Sequence, residues 1–150
     1  LYIMGKEGLS LHEAGTLLNK HSGLIGISGE SSDMREIIAS VKDEQKRSVY
    51  AFEIFCYRIK KYIGAYIAAM GGTDAIVFTG GIGENSALIR KETLSDMKFF
   101  GIDVDQKKNK SKSHGEREIH SNSSKVKLLI IPTNEELVIA RDTMKIVKQN

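Results

Sequence analysis

Residues 75–85 of this chain read Ala-Ile-Val-Phe-Thr-Gly-Gly-Ile-Gly-Glu-Asn, and this stretch decides the fold. Its first four residues are apolar and include two β-branched side chains, which predicts a short buried strand. Residues 86–97 predict a helix, and three glycines within four positions join the strand to it. Such a strand–turn–helix unit is typical of an α/β fold.

The glycine turn has two interpretations. Glycines let backbone N–H groups come close to a ligand, and the N-terminus of the following helix favours negative charge. These properties suit the phosphates of a nucleotide, although the spacing matches neither the dinucleotide fingerprint nor the Walker A loop. The alternative is a tight turn in which Asn85 caps the next helix. The residues alone leave both interpretations open.

A second strand and helix follow further along the chain. Val126 to Ile131 predicts a buried strand that ends at Pro132, and a helix begins at Thr133. Glu136 fits the third helical position of a capping box begun by Thr133, so we expect a structural role for it. Glu135 is then left at the carboxyl end of the strand, where open α/β sheets bind their ligands.

Helices are also predicted before the glycine turn. Ser10 and Glu13 form a capping box that starts a helix ending near Lys20. Residues 22–29 favour turns, and a short helix capped by Ser31 or Ser32 follows.

The strongest periodic signal lies in residues 44–70, where apolar side chains recur at helical spacing until Gly71-Gly72 stops the helix. Residues 105–125 are rich in Lys, Ser and Asn, which predicts an exposed hairpin or mobile loop with a short strand at 117–120.

Length and composition narrow the class of protein. The 150 residues allow one compact domain, and the net charge of +3 is too small to indicate nucleic-acid binding. The sequence has neither an apolar run of transmembrane length nor a signal peptide. Cys56 lies on a helical apolar face, which predicts a reduced core residue in a cytoplasmic protein. Because residue 1 is Leu rather than Met, we expect the chain to be a piece of a longer protein.

Three segments together resemble a known family. They are Thr79-Gly80-Gly81-Ile82-Gly83-Glu84-Asn85, residues 22–29 (Ser-Gly-Leu-Ile-Gly-Ile-Ser-Gly) and residues 131–137 (Ile-Pro-Thr-Asn-Glu-Glu-Leu). In this order and spacing they resemble the C-terminal half of acetate kinase, from Leu9 to about Thr143. The resemblance implies the ribonuclease H-like core of the actin-like ATPase (acetate and sugar kinase) superfamily. Residues 1–150 would then be its C-terminal lobe, a nucleotide-binding and dimerisation domain without the N-terminal domain.

The resemblance also implies a nucleotide site. In the family the loop that matches Gly81, Ile82, Gly83, Glu84 and Asn85 binds ATP. A carboxylate repels phosphate, so we assign Glu84 to the geometry of the loop or to the ribose. The alternative for Glu84 is a solvent-facing carboxylate at a helix start, where the helix dipole favours it.

A second nucleotide segment and a metal ligand come from the same resemblance. Asp33-Met34-Arg35 matches the family's Asp-x-Arg segment, which lies against the adenosine. A guanidinium can stack on a purine, whereas the alternative is that these residues only begin a short helix. The family uses the first glutamate of Asn-Glu-Glu, here Glu135, for Mg²⁺, and a hard oxygen ligand suits that ion.

The implied activity is phosphoryl transfer between ATP and acetate to give acetyl phosphate. No catalytic residue can be assigned in this chain, because the family's acetate- and phosphoryl-binding residues lie mainly in its N-terminal half. We therefore expect the isolated chain to be inactive. The implied protein is a cytoplasmic homodimer that binds ATP or ADP and neither nucleic acid nor membrane. Alternatives are a kinase of propionate or another short-chain acid, and a non-catalytic nucleotide-binding or dimerisation module.

Overall fold

The computed structural model describes residues 1–113 and 115–149 and has a mixed α/β structure. The chain divides into two compact units, Leu1–Gly64 and Ala65–Asn150, and the division falls within one long helix. Within the described residues, no helix is both long and apolar enough to cross a membrane.

The regular secondary structure described for unit 1 consists of helices. Its elements are α1 (Tyr2–Glu7), α2 (Leu11–Lys20), α3 (Leu24–Ser28), α4 (Met34–Lys42) and the first part of α5 (Lys46–Met70). The predicted capping box of α2 is confirmed: the Ser10 amide donates to the Glu13 carboxylate at 2.8 Å, and the Glu13 amide donates to Ser10 Oγ at 3.3 Å. The helix ends at Lys20 as predicted.

The start of α4 differs from the prediction. Asp33, rather than Ser31 or Ser32, caps the helix, because its Oδ1 accepts from the Arg35 amide at 2.8 Å. Ser31 instead uses its hydroxyl to accept from the Asp33 amide at 2.9 Å, which holds the residue before the helix. The helix continues to Lys42.

The long helix α5 is confirmed over its 25 residues. Ala51, Phe52 and Cys56 lie on its buried face, as the apolar spacing predicts. The predicted stop is also confirmed, since Gly71 has a φ of 73° and the amide of Gly72 donates to the carbonyl of Ile67 at 2.9 Å. Glycine adopts a positive φ at such a helix end without steric cost.

Unit 2 contains a small three-stranded sheet and short helices. Its elements after α5 are β1 (Ala75–Phe78), α6 (Gly80–Asn85), α7 (Ala87–Thr93), a 3₁₀ turn (Lys98–Phe100), α8 (Gln106–Lys110), β2 (Arg117–Glu118), β3 (Lys127–Ile130) and α9 (Glu135–Gln149). The strand order is β1-β3-β2. β1 runs parallel to β3, and β2 runs antiparallel to β3.

The two parallel strands differ in how far they are buried. Leu128 and Ile130 of β3 are fully buried, and Ile89, Ile102 and Ile119 are buried as well. In β1, by contrast, Val77 is 47 % exposed, so the prediction of a buried strand is wrong for β1. The reason is its place at the edge of the sheet, where β3 is its only strand neighbour within the described residues.

The polar stretch from 105 to 125 is more ordered than predicted. It contains α8 and β2, and His120 forms a bridge with Val104. Asn109 and Ile119 are buried, so an exposed hairpin or mobile loop is wrong for these parts of the stretch. Of the strand predicted at 117–120, residues 117 and 118 form β2, and His120 forms only the isolated bridge. Residue 114 lies outside the described residues.

Candidate functional site

The carboxyl ends of β1 and β3 meet at one edge of the sheet. Phe78 lies opposite Ile130 in the parallel pair, and the amide of Ile131 donates to the carbonyl of Phe78 at 3.0 Å. Two connections therefore leave the same edge: residues 79–85, which we call the glycine loop, and residues 131–134, which we call the β3–α9 segment. Open α/β sheets bind ligands at this kind of edge.

The glycine loop is itself a short helix rather than a turn between strand and helix. Gly80 enters α6 with a φ of 71°, which glycine adopts without strain. Asn85 ends α6 and donates from Nδ2 to the carbonyl of Gly81 at 2.9 Å. The interpretation of Asn85 as a helix cap is therefore wrong, and Ser86 caps α7 by accepting from the amide of Ile89 at 3.3 Å. The predicted helix over 86–97 ends early, at Thr93.

The other two glycines of the loop face different surroundings. A Cβ added to Gly81 would find no described atom within 4 Å, so this position is open. A Cβ added to Gly83 would lie 3.4 Å from the carbonyl carbon of Phe78, so Gly83 lets α6 lie close to β1. Between them, the side chain of Ile82 is 40 % exposed.

Arg90 on α7 holds the end of the glycine loop. Its side chain is 1 % exposed, and its Nη1 donates to the carbonyls of Gly83 at 2.7 Å and Glu84 at 2.9 Å. The other guanidinium nitrogens donate to Asn109: Nε donates to its Oδ1 at 2.7 Å, and Nη2 donates to its carbonyl at 2.8 Å. A cation at the carbonyl end of a helix is favourable for the helix dipole. The loop is thus held by a buried charge that sequence reasoning did not assign to the site.

The electrostatics of Arg90 follow from this position. Burial first, and the nearby charge of Arg117 second, lower the pKa of Arg90 to about 10. Arg90 therefore remains charged at neutral pH. The sequence contained one signal for this role. No carboxylate lies three or four residues before or after Arg90, so the arginine has no ion-pair partner along its own helix.

Arg117 on β2 is a second cation that donates to the carbonyl of Glu84. Its Nη2 donates to the carbonyl of Glu84 at 3.3 Å, and its Nη1 donates to that of Gly115 at 3.2 Å. Its buried Nε has no hydrogen-bond partner within the described residues. A cavity of about 600 Å³ opens beside these groups and the glycine loop. Four basic side chains and one carboxylate occur among its described lining residues, which suits an anion: Arg90, Lys110, Lys112, Arg117 and Glu84.

Glu84 connects the glycine loop to the β3–α9 segment. Its Oε1 accepts from the amide of Thr133 at 2.9 Å and from the Thr133 hydroxyl at 3.3 Å. Glu84 is the fifth of the six residues of α6, so it stands near the carbonyl end of that helix. The alternative of a carboxylate at a helix start is therefore wrong.

Glu135 and Glu136 occupy the first turn of α9 and are both exposed. The predicted capping box of Thr133 and Glu136 is wrong, because Asn134 caps the helix by accepting from the amide of Leu137 at 3.1 Å. Thr133 lies one residue too early and is engaged by Glu84. Within the described residues, no group of three His, Cys, Asp or Glu side chains could hold a metal ion.

The three residues predicted to lie against an adenosine begin α4 in unit 1. Arg35 donates from Nε to both carboxylate oxygens of Asp33 at 3.1 Å, and its side chain is 90 % exposed. The pKa of Asp33 is lowered to about 2, mainly by the hydrogen bond from the Arg35 side chain and next by the hydrogen bond from the Arg35 amide. Met34 is 3 % exposed, so its side chain is committed to packing and only its backbone is available to a ligand.

Comparison with known proteins gives consistent matches. A family model described as the acetokinase family matches residues 1–141. The acetate kinase of Acetivibrio thermocellus is 51 % identical over 147 residues, which cover 98 % of this chain and 37 % of that protein. The chain thus spans about 37 % of the length of this curated relative.

Solved structures match to a similar extent. The crystal structure of Porphyromonas gingivalis acetate kinase has a TM-score of 0.88 at 46 % identity, covering 97 % of this chain and 37 % of that one. A propionate kinase from Francisella tularensis has a TM-score of 0.82 at 42 % identity, covering 93 % of this chain and 35 % of that one.

Proposed function

This chain belongs to the acetokinase family, and from that premise we propose that it is the nucleotide-binding C-terminal lobe of an acetate kinase. The whole enzyme would transfer the γ-phosphoryl group of ATP to a carboxylate oxygen of acetate, giving acetyl phosphate and ADP. Residues 1–150 would act as one functional domain of that enzyme, in the cytoplasm.

One observation carries the proposal. The glycine loop and the β3–α9 segment leave the same sheet edge, and Glu84 joins them through Thr133. Phosphoryl transfer depends mainly on positioning the phosphates and on stabilising their charge. A loop whose carbonyls are held by Arg90 and Arg117 offers its amides in a fixed arrangement. Such an arrangement costs little reorganisation when a phosphate binds.

Each of the two predicted nucleotide-binding segments, taken by itself, has features that suit a nucleotide. Gly81 has open space where a side chain would stand, so backbone and ligand can approach closely there. The exposed part of Ile82 offers an apolar surface to the sugar or base. The exposed guanidinium of Arg35 suits stacking on a purine, with Asp33 holding its Nε edge.

Glu135 fits the proposed magnesium site in its chemistry. It supplies an exposed hard oxygen ligand at the carboxyl edge of the sheet. Mg²⁺ is commonly held by one or two carboxylates together with substrate phosphates and waters, so a single protein carboxylate is sufficient here. When bound, Mg²⁺ would neutralise phosphate charge, while Glu135 would fix the place of that charge relative to the glycine loop.

The partners of the lobe follow from its exposed surface. Tyr57, Tyr62 and Tyr66 on α5 are each more than half exposed. Exposed apolar surface of this kind marks interaction sites, and we propose that it supports a homodimer. The small net charge gives no support for binding nucleic acid.

Two alternatives have specific support. The structural match to a propionate kinase favours a longer acyl substrate. The absence of assigned catalytic residues in this chain favours a nucleotide-binding module that is not catalytic by itself.

The deciding experiment measures acyl phosphate formation by the full-length enzyme that contains this lobe, with acetate and propionate compared by kcat/KM. We expect acetate to be preferred, and we expect the chain of residues 1–150 alone to give no turnover. Higher kcat/KM for propionate would establish the first alternative. Turnover by the isolated chain near that of the full-length enzyme would show that it contains a complete site.

A further inference from the structure

We propose that Glu84 is a positioning residue which couples nucleotide binding to magnesium binding by holding Thr133. The inference rests on the function proposed above. It assigns to Glu84 a task between two sites rather than a contact with the nucleotide, and it adds Thr133 to the functional residues.

The main chain of Glu84 is held by two arginines. Its carbonyl accepts from Arg90 at 2.9 Å and from Arg117 at 3.3 Å. Both arginines come from outside α6, on α7 and β2. The backbone from which the Glu84 side chain leaves is therefore held by the same groups that hold the glycine loop. Any shift of the loop moves the carboxylate with it.

Glu84 stands near the carbonyl end of α6, where the helix dipole disfavours negative charge. The helix itself therefore does not explain an acidic residue there. The Thr133 amide and hydroxyl, 49 residues further along, are the donors that the carboxylate meets. A charged acceptor makes these hydrogen bonds stronger than neutral ones would be.

Thr133 lies close in sequence to Glu135, the proposed metal ligand. Thr133 lies between Pro132, which restricts the backbone, and Asn134, which caps α9. Glu135 is the first residue of α9, two positions after Thr133. Holding the Thr133 amide thus fixes where α9 begins, and with it the direction in which Glu135 leaves the backbone. The glycine loop and the metal ligand are joined through two hydrogen bonds to one residue.

This arrangement makes a thermodynamic prediction. Two ligands that both favour one arrangement of a linked pair of segments raise each other's affinity by the same factor. Nucleotide bound at the glycine loop would hold Glu84, Thr133 and Glu135 in place for Mg²⁺. Removing the link would leave each segment able to bind, with less benefit from the other.

The test uses the full-length enzyme and measures ADP affinity by calorimetry, with and without Mg²⁺. In Glu84→Ala we expect ADP affinity in Mg²⁺ to fall on the order of tenfold, and affinity without Mg²⁺ to change by less than about twofold. Glu84→Gln retains a carbonyl acceptor for Thr133 and should lie between wild type and Glu84→Ala. Thr133→Val keeps the amide donor and loses the hydroxyl, so it should show a smaller loss of the same kind.

A second readout does not depend on metal. Amide hydrogen exchange in a peptide covering 131–137 should be faster in Glu84→Ala than in wild type, because the Thr133 amide loses its acceptor. Glu136→Ala is the matched control, since Glu136 is an exposed carboxylate in the same turn as Glu135. It should leave both ADP measurements and the exchange at Thr133 unchanged.

The outcomes are distinguishable. Equal weakening of ADP with and without Mg²⁺ would make Glu84 a direct nucleotide contact and overturn the coupling. Unchanged affinities in a folded Glu84→Ala enzyme would also overturn it. If wild-type enzyme binds no ADP, the proposed function itself fails. If Glu84→Ala does not fold, Glu84→Gln and Thr133→Val decide by the same criterion.

Discussion

The glycine loop of unit 2 is held by side chains from distant parts of the chain, whereas the start of α4 in unit 1 is held by its own neighbours. Arg90, Asn109 and Arg117 fix the loop through buried or half-buried hydrogen bonds. At α4, the side chain of Asp33 bonds to Arg35, two residues away, and both side chains lie at the surface. Long-range buried contacts preorganise a segment, while local exposed ones leave it adaptable. We therefore expect the glycine loop to be rigid and the start of α4 to be adjustable.

The largest expected effect is the loss of the buried cation. Arg90→Met should lower the free energy of unfolding by about 3 kcal/mol, because it leaves several buried carbonyl groups without a donor. Chemical denaturation monitored by circular dichroism measures this. Arg90→Lys keeps the charge but cannot reach every acceptor, and its loss should be smaller.

Arg141→Met is the control for Arg90→Met, because Arg141 is exposed on α9. Its free energy of unfolding should stay within about 0.5 kcal/mol of wild type. Equal stability of the Arg90 and Arg141 variants would mean that the glycine loop is not held as described, and the contrast with α4 would disappear.

The next effect separates two glycines of the same loop. Gly83→Val should lower the free energy of unfolding by about 1–3 kcal/mol, because its methyl groups would press on Phe78 of β1. Gly81→Val points into open space, so it should fold normally. It should weaken ADP on the order of tenfold by keeping the ligand from the backbone.

Melting curves and ADP titrations of both glycine variants give a crossed pattern if this is correct. Normal ADP affinity in folded Gly81→Val would remove the open side of the loop from the site. Normal stability of Gly83→Val would show that α6 and β1 have room between them.

The sequence predicted those parts of the molecule that depend on local pattern. The limits of β1, the capping box of α2 and the length of α5 are confirmed, because strand composition, a cap and helical periodicity act over a few residues. The fold class is confirmed by the match of 97 % of the chain to an acetate kinase of known structure. The resemblance to acetate kinase came from the three motifs in combination rather than from any one of them.

Features that depend on distant contacts were not predicted. The sequence assigned no role to Arg90, because its acceptors at residues 83, 84 and 109 come together only in the fold. Asn109 lies in a stretch whose composition predicts solvent exposure, and its burial follows from that contact. The caps of α4 and α9 were each misplaced, because Ser31 and Thr133 are used by other partners.

The first turn of α9 offers a smaller effect on metal dependence. Glu135→Gln in the full-length enzyme should raise the Mg²⁺ concentration for half-maximal activity by roughly tenfold, since an amide is a weaker ligand than a carboxylate. Glu136→Gln should leave the Mg²⁺ requirement unchanged. Adjacent side chains at a helix start point about 100° apart, so they do not share one ligand easily.

We expect the two substitutions, Glu135→Gln and Glu136→Gln, to lower the free energy of unfolding by similar amounts. Asn134 supplies the cap, so each change removes only a first-turn charge, at a cost of about 0.3–1 kcal/mol. Magnesium titrations and melting curves of both variants measure the two effects independently. A raised Mg²⁺ requirement in Glu136→Gln alone would reverse the assignment of the pair.

The smallest effect is expected at α4, where the exposed pair of Asp33 and Arg35 can be tested by pH. The pKa of Asp33 is lowered from 3.8 to about 2 in the folded chain, so the ionised form stabilises the fold. That stabilisation is present above pH 4 and is lost as the pH falls through 2. Asp33→Asn removes the charge and keeps a good helix cap. The difference in Tm between wild type and variant should therefore be small at pH 6 and should shrink further towards pH 2. It should also shrink in high salt, because the pair is exposed. A difference in Tm that stays constant across this range would mean that the cap, and not the ion pair, holds the start of α4, and the described contrast between a rigid and an adjustable segment would lose its electrostatic basis.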